Sequence, residues 1–250
     1  MQNEKKKPLL FRLLKKIIKF FYRKNEYLGK DNMPNNPSIY VANHVQLEGP
    51  LINELYFPKK KKIWCIGQMM NLKEAPNYCY DDFWPSKTKF TRPIYKVLSY
   101  IVSPILVFVS KNADSIAVYK DARLMKTYRE TIKALEEGND IIIFPEYREE
   151  YNDIINDFLD KYIDVARLYY KKTGSLVNFV PMYHAPKIQK TIIGKPILFN
   201  IENEINEERL RINTYLKEEI TNLAKSLPRH KVVPYSNIKK KNYKYSKEND

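Results

Sequence analysis

The chain has 250 residues, 44% of them hydrophobic and 13% aromatic, which is long enough and apolar enough for a sizeable core and excludes a disordered chain. The net charge of +15 calls for an anionic partner, whether nucleic acid, acidic lipid or a phosphorylated substrate. Only six glycines are present, with no G-x-G-x-x-G and no G-x-x-x-x-G-K-[ST]. The two cysteines and three histidines fall in no zinc spacing, so no metal site is expected and the thiols read as reduced, in a cytoplasmic protein.

In chain order, the first element is a basic amphipathic helix. Leu10, Leu13, Leu14, Ile17, Ile18 and Phe21 share one side, and Arg12, Lys16, Lys19 and Arg23 the other. From Leu9 to Arg23 it would run roughly 22 Å at 1.5 Å per residue, short of the ~30 Å hydrocarbon core. Residues 1–30 are therefore expected to lie in a membrane interface, on the inner face of the cell membrane, with an anionic surface as partner. The competing expectation is a helix that packs its apolar side on the domain.

A strand is expected over Ile39–Ala42, stopping at Asn43-His44, and a helix over Pro50–Phe57. Lys60–Gly67 reads as a strand. The uncharged run Val97–Ser110, with Pro104 inside, is expected to be a helix over Pro93–Tyr100 followed by a strand at Leu106–Val109, or else an interfacial segment. Ile116–Tyr119 reads as a strand, and Ala122–Glu137 as a helix closed by Gly138. Ile141–Phe144 is a buried strand running into Pro145-Glu146. Asn152–Lys172 has helical spacing of Ile155, Phe158, Leu159, Tyr162, Ala166 and Tyr169, and Gly174 closes it. Leu176–Met182 reads as a strand, Ile192–Phe199 as another, and Ile205–Leu227 as the last helix. Residues 236–250, rich in lysine, are expected to form a mobile tail. Alternating strands and helices imply an α/β domain over residues 31–235, with a mainly parallel central sheet and flanking helices. In such sheets functional groups gather where strands end, which draws attention to Asn43-His44, Lys120-Asp121 and Pro145-Glu146.

Three motifs carry a resemblance: MPNNPSIYVANH, then IAVYKDAR, then IIIFPE, with VPM after them. In this order they resemble the glycerolipid acyltransferases of the lysophosphatidic acid acyltransferase type, over about Met33 to Phe199. The resemblance implies that His44 is a general base. It would take a proton from an acceptor hydroxyl that attacks the thioester of acyl-CoA or acyl-carrier protein, with no bound cofactor. It implies a (lyso)glycerophospholipid-type acceptor whose phosphate meets Lys120, Arg123, Glu146 and Arg148.

The sequence departs from the family pattern in three places. The family has His, four residues, then Asp; here that place is Gly49, and Glu48 stands one residue early. Glu48 is the expected displaced partner of His44, with Glu54, Glu146 or no acid as alternatives. Arg148 arrives one residue early after FPE, and Lys120 replaces an Arg, with Arg123 able to compensate. These departures leave open a catalytically weak or inactive lipid-binding relative, or an acyltransferase with a non-phosphorylated acceptor. Nucleic-acid binding is suggested by charge alone, without a recognisable module, and is not expected.

Overall fold

Ile39–Ala42 (β2) is a run of four apolar residues that leaves no polar side for water, and it lies at the centre of the sheet with every residue buried. It pairs in parallel with Asp140–Ile143 (β5) on one side and Asn178–Ala185 (β8) on the other, with Ile39 level with Ile141 and Phe179. Beyond β5 come Lys61–Ile66 (β3) and Ser115–Val118 (β4), again parallel. Beyond β8 come Lys190–Ile193 (β9), antiparallel, and Glu26–Leu28 (β1), parallel to β9; Ile197–Leu198 (β10) also pairs antiparallel with β8. The result is a mainly parallel sheet in the order β1-β9-β8-β2-β5-β3-β4 within an α/β fold with flanking helices. Residues 7–84, 87–119 and 121–248 are described by this computed structural model.

Alternation along β2 fills both layers. Ile39 and Val41 join a core made with Leu124–Glu136 (α5), Asp164–Thr173 (α6) and Ile205–Ser226 (α7). Tyr40 and Ala42 face Ile52 of Glu48–Tyr56 (α2). Leu9–Phe21 (α1) sits outside α2, held by Lys15 to Glu54 at 2.6 Å. Its Phe11 is buried and Leu14 and Ile18 are half-buried, yet Leu10, Leu13, Ile17 and Phe20 stay exposed, so only part of the apolar side of α1 packs on the domain. Strand β1 lies inside residues 1–30, so the sheet reaches back past the start expected at residue 31.

Three expectations are corrected. The helix at Pro93–Tyr100 and the strand at Leu106–Val109 are one helix, Arg92–Asn112 (α4). Pro104 does not break it, because Pro104 and Tyr100, whose carbonyl loses its N–H partner, are both exposed to solvent. The helix expected over Asn152–Lys172 begins only at Asp164. Asn152 Oδ1 instead accepts from the N–H groups of Ile154 and Ile155 at 2.8 and 3.0 Å, turning the chain into Asn156–Phe158 (β7). β7 pairs with Glu146–Glu150 (β6), so Ile155, Phe158 and Tyr162 are buried from a ribbon and a turn despite their helical spacing. The tail is not free either. Tyr243 and Ser246 are buried, and Lys231 pairs with Tyr245 in an antiparallel bridge. Ile192–Phe199 divides into β9 and β10 around Gly194 and Pro196. Ala75–Asp82 (α3) has no counterpart among the expected elements.

Candidate active site

The carboxyl ends of β2, β5 and β8 share one edge of the sheet, and His44 follows β2 there. Asn43 sets the exit. Its Nδ2 donates to the His184 carbonyl at 3.0 Å and its Oδ1 accepts from the His184 N–H at 2.7 Å. A buried side chain thus continues the ladder to β8 after β2 has ended. At about 1 kcal/mol per satisfied bond, and more if either partner were orphaned, this fixes where the next residue starts.

The loop then turns sharply, with Val45 at φ 42° and Gln46 at φ 57°, both in the left-handed region. Gln46 Nε2 reaches the Tyr243 hydroxyl at 3.2 Å, so the C-terminal segment holds the turn. Gly49 comes so close behind His44 that a Cβ there would stand 2.5 Å from the His44 carbonyl oxygen and 3.0 Å from the Phe144 ring. A side chain at Gly49, in the first turn of α2, would therefore force the His44 carbonyl or the helix to shift.

Glu146 of the FPE motif is buried and turned inward. Its Oε1 accepts from the His44 backbone N–H at 2.5 Å, and its Oε2 accepts from the Asn156 N–H at 2.8 Å. Burial pushes its carboxyl up to about 7, against the pull of those two backbone donors. Glu146 therefore anchors His44 through the backbone and ties it to the β6–β7 ribbon, with both carboxylate oxygens turned to backbone N–H groups.

The His44 ring lies edge-on between Phe144, at 5.3 Å, and Tyr235, at 5.5 Å between ring centres. Its Nδ1 is enclosed and makes no hydrogen bond. The residue as a whole is partly exposed. Desolvation lowers its pKa to about 4, with Asp82 and the Gln46 backbone pulling upward.

Neither expected acid meets this ring. Glu48 accepts from the Tyr22 hydroxyl at 3.2 Å and pairs with Lys187 at 3.5 Å. Glu54 is held by Lys15 and Lys61. The carboxylate whose charge pulls the His44 pKa upward is Asp82, the last residue of α3, which no spacing in the sequence connects to it. Asp82 Oδ2 accepts from Tyr78 at 3.1 Å, and its carbonyl accepts from Asn237 Nδ2 at 2.9 Å, two residues from the Tyr235 that walls the ring.

Among the expected anion-binding groups, Arg123 is spent on Asp121 at 2.6 Å and stacks on Tyr119 at 4.0 Å. Arg148 is exposed on β6, makes no ion pair among the described residues, and acts electrostatically on Tyr235. Lys120 lies outside the described residues. The lysine run is largely occupied: Lys59 pairs with Asp140 at 3.1 Å, Lys61 with Glu54 at 2.7 Å and Lys62 with Asp114 at 3.6 Å. No three His, Cys, Asp or Glu side chains cluster to hold a metal among the described residues. His184 is fully buried, with Thr191 on Nδ1 at 2.8 Å and Asn53 on Nε2 at 2.9 Å, and Asn53 donates on to the Gly49 carbonyl at 2.8 Å. This buried network braces the start of α2 behind His44.

No protein-family model matches this chain, and no curated protein does. Among solved structures it is similar to the 1-acyl-sn-glycerophosphate (LPA) acyltransferase PlsC from Thermotoga maritima. The identity is 18% and the TM-score 0.46, over 87% of this chain and 78% of that one.

Proposed function

We propose that the protein is an acyltransferase that moves a fatty acyl group from acyl-CoA or acyl-carrier protein to the hydroxyl of a lysoglycerophospholipid-type acceptor, with His44 as general base. The observation that carries this reading is the pairing of His44 with Glu146. The first and third motifs of the resemblance meet at one sheet edge, and the carboxylate of one fixes the backbone of the other at 2.5 Å.

In the reaction, the His44 imidazole takes the proton of the acceptor hydroxyl as its oxygen bonds to the thioester carbonyl carbon. Collapse of the tetrahedral intermediate breaks the C–S bond, and the leaving thiolate takes the proton back from the imidazolium. No acyl-enzyme and no bound cofactor are needed. Asp82 supports the imidazolium from a distance, and Arg148, exposed and acting on Tyr235 of the ring wall, serves as the cation for an acceptor phosphate. The basic surface suits either acidic donor, and α1 with its exposed apolar stripe suits an anionic membrane, which supports a peripheral position on the inner face of the cell membrane in phospholipid synthesis.

A second reading has its own observation. A histidine titrating at about 4 with no hydrogen-bonded acid is a weak base at neutral pH, as expected of a lipid-binding relative with little or no turnover. The deciding experiment is acyl transfer in lipid vesicles, with acyl-CoA and acyl-carrier protein as donors and a panel of lysophospholipids, glycerol phosphate and monoacylglycerol as acceptors. Turnover that falls at least 100-fold in His44→Ala supports the enzyme. Lipid binding without transfer or thioester hydrolysis supports the second reading.

A further inference from the structure

α4 is patterned inside out. Its protein-facing side carries Ser99, Ser103 and Ser110, all buried, with Val107 between them. The opposite side carries Ile94, Val97, Leu98, Ile101 and Ile105, at spacings that form one stripe; Ile94, Ile101 and Ile105 are each 60% exposed. A helix solvated on its outer face shows the reverse order. The buried serines have no need of water. Ser99 Oγ donates to the Lys96 carbonyl at 2.7 Å and Ser103 Oγ to the Ser99 carbonyl at 2.5 Å, which allows close packing on Cys79 of α3. Small residues toward protein and large apolar residues outward is the arrangement of helices that face lipid.

We infer that the outer face of α4 docks into the acyl region of one leaflet of an anionic bilayer, lying flat in the interface. The helix is long and apolar enough to cross a membrane. It does not stand free to do so, because its serine side packs against α3, the turn at Gly67–Met70, and β4. Two observations select lipid over a second copy of the chain. A net charge of +15 opposes self-association and favours an anionic surface. Arg92 and Lys96 at one end and Lys111 at the other are exposed and placed for headgroups. The start of α1 lies near the end of α4, since Lys7, two residues before α1, donates to Asp114, two residues after α4, at 2.7 Å. The inference extends the membrane reading given to α1, but it rests on α4 alone and on no catalytic step. Its consequence is positional: α4 packs on α3, whose last residue Asp82 acts electrostatically on His44, so a seated α4 joins the membrane face to the His44 site through one helix.

The test is flotation of the full chain with vesicles of phosphatidylglycerol and phosphatidylcholine, with no acyl donor or acceptor present. The double variant Ile94→Glu, Ile101→Glu is compared with Leu13→Glu on α1 and with wild type. All substituted positions are exposed, and a thermal melt checks that folding is kept. The expected result is a tenfold or greater drop in the vesicle partition coefficient of the α4 variant, with wild type monomeric on gel filtration. Unchanged partition in the α4 variant overturns the inference. So does a wild-type dimer that the double variant splits, which would make the face a seam between copies. Because binding is read without chemistry, a protein with no acyl transfer still gives a clear answer.

Discussion

His44 and Glu146 touch through the backbone and are displaced in opposite directions by the same burial. Their contributions to stability should therefore cancel in the wild type and appear only when one is removed. Glu146 goes from 4.5 to about 7 on folding, so between those values the folded state holds a proton that the unfolded chain has lost. Stability from this group is present below pH 4.5 and is lost as pH rises through 7. His44 goes from 6.5 to about 4, so the unfolded chain holds the extra proton and stability is lost as pH falls from 6.5 through 4. At about 1.4 kcal/mol per pH unit, each effect amounts to ~3 kcal/mol, with opposite sign over nearly the same window. The measurement is urea unfolding of wild type, Glu146→Gln and His44→Gln from pH 4 to 8, read as differences from wild type so that other groups drop out. Relative to wild type, Glu146→Gln should gain ~3 kcal/mol as pH rises from 4.5 to 7, and His44→Gln should lose about as much from 4 to 6.5. Superimposed on its slope, Glu146→Gln should carry a constant loss of about 1–3 kcal/mol, because one amide oxygen cannot accept from both the His44 and Asn156 N–H groups. A difference that stays flat across pH for either variant refutes the linkage.

Installing the aspartate of the family pattern should do harm. Gly49→Asp puts a Cβ 2.5 Å from the His44 carbonyl, so urea unfolding should show a loss of about 1–3 kcal/mol or more and acyl transfer should not rise; a stable, faster variant would sink this account of the loop. Asp82→Asn removes the charge that pulls the His44 pKa upward, so an NMR titration of the ring should place it below about 4, and an unchanged value would remove Asp82 from the site. Arg148→Gln should raise KM for a phosphorylated acceptor roughly tenfold or more, with kcat nearly constant, as expected from losing one charge-assisted hydrogen bond. An equal rise with a monoacylglycerol would mean that Arg148 does not read the phosphate.

The central parallel strands β2 and β5 were legible because each is a short apolar run between turns: IYVA and III need burial on both sides, which a doubly covered sheet supplies. The His44 and Glu146 positions followed, since both stand just past such runs. The partners of the ring were not legible. Asp82 and Tyr235 come from the end of α3 and from the segment after α7, and only tertiary packing brings them to the loop. The failures at α4 and at Asn152 share one cause, a local signal overridden by surroundings. Pro104 is harmless on an exposed helix face, and helical spacing at Ile155–Tyr162 is met equally well by a ribbon and a turn anchored through Asn152.

The place of β2 in the sheet also fixes an order in time. It carries His44 near the start of the chain, yet its neighbours β5 and β8 and the Tyr235 wall are all synthesised later. At about 5–20 residues per second, a ribosome needs roughly 10–40 s to travel from His44 to Tyr235. Through that interval α1 is already made, with its apolar stripe uncovered, while His44 gains β5 and then β8 beside its strand and has no closed ring pocket until the end. On the function proposed above, a nascent chain would meet a lipid surface well before it could react there, and the chemistry would switch on only after the protein had arrived.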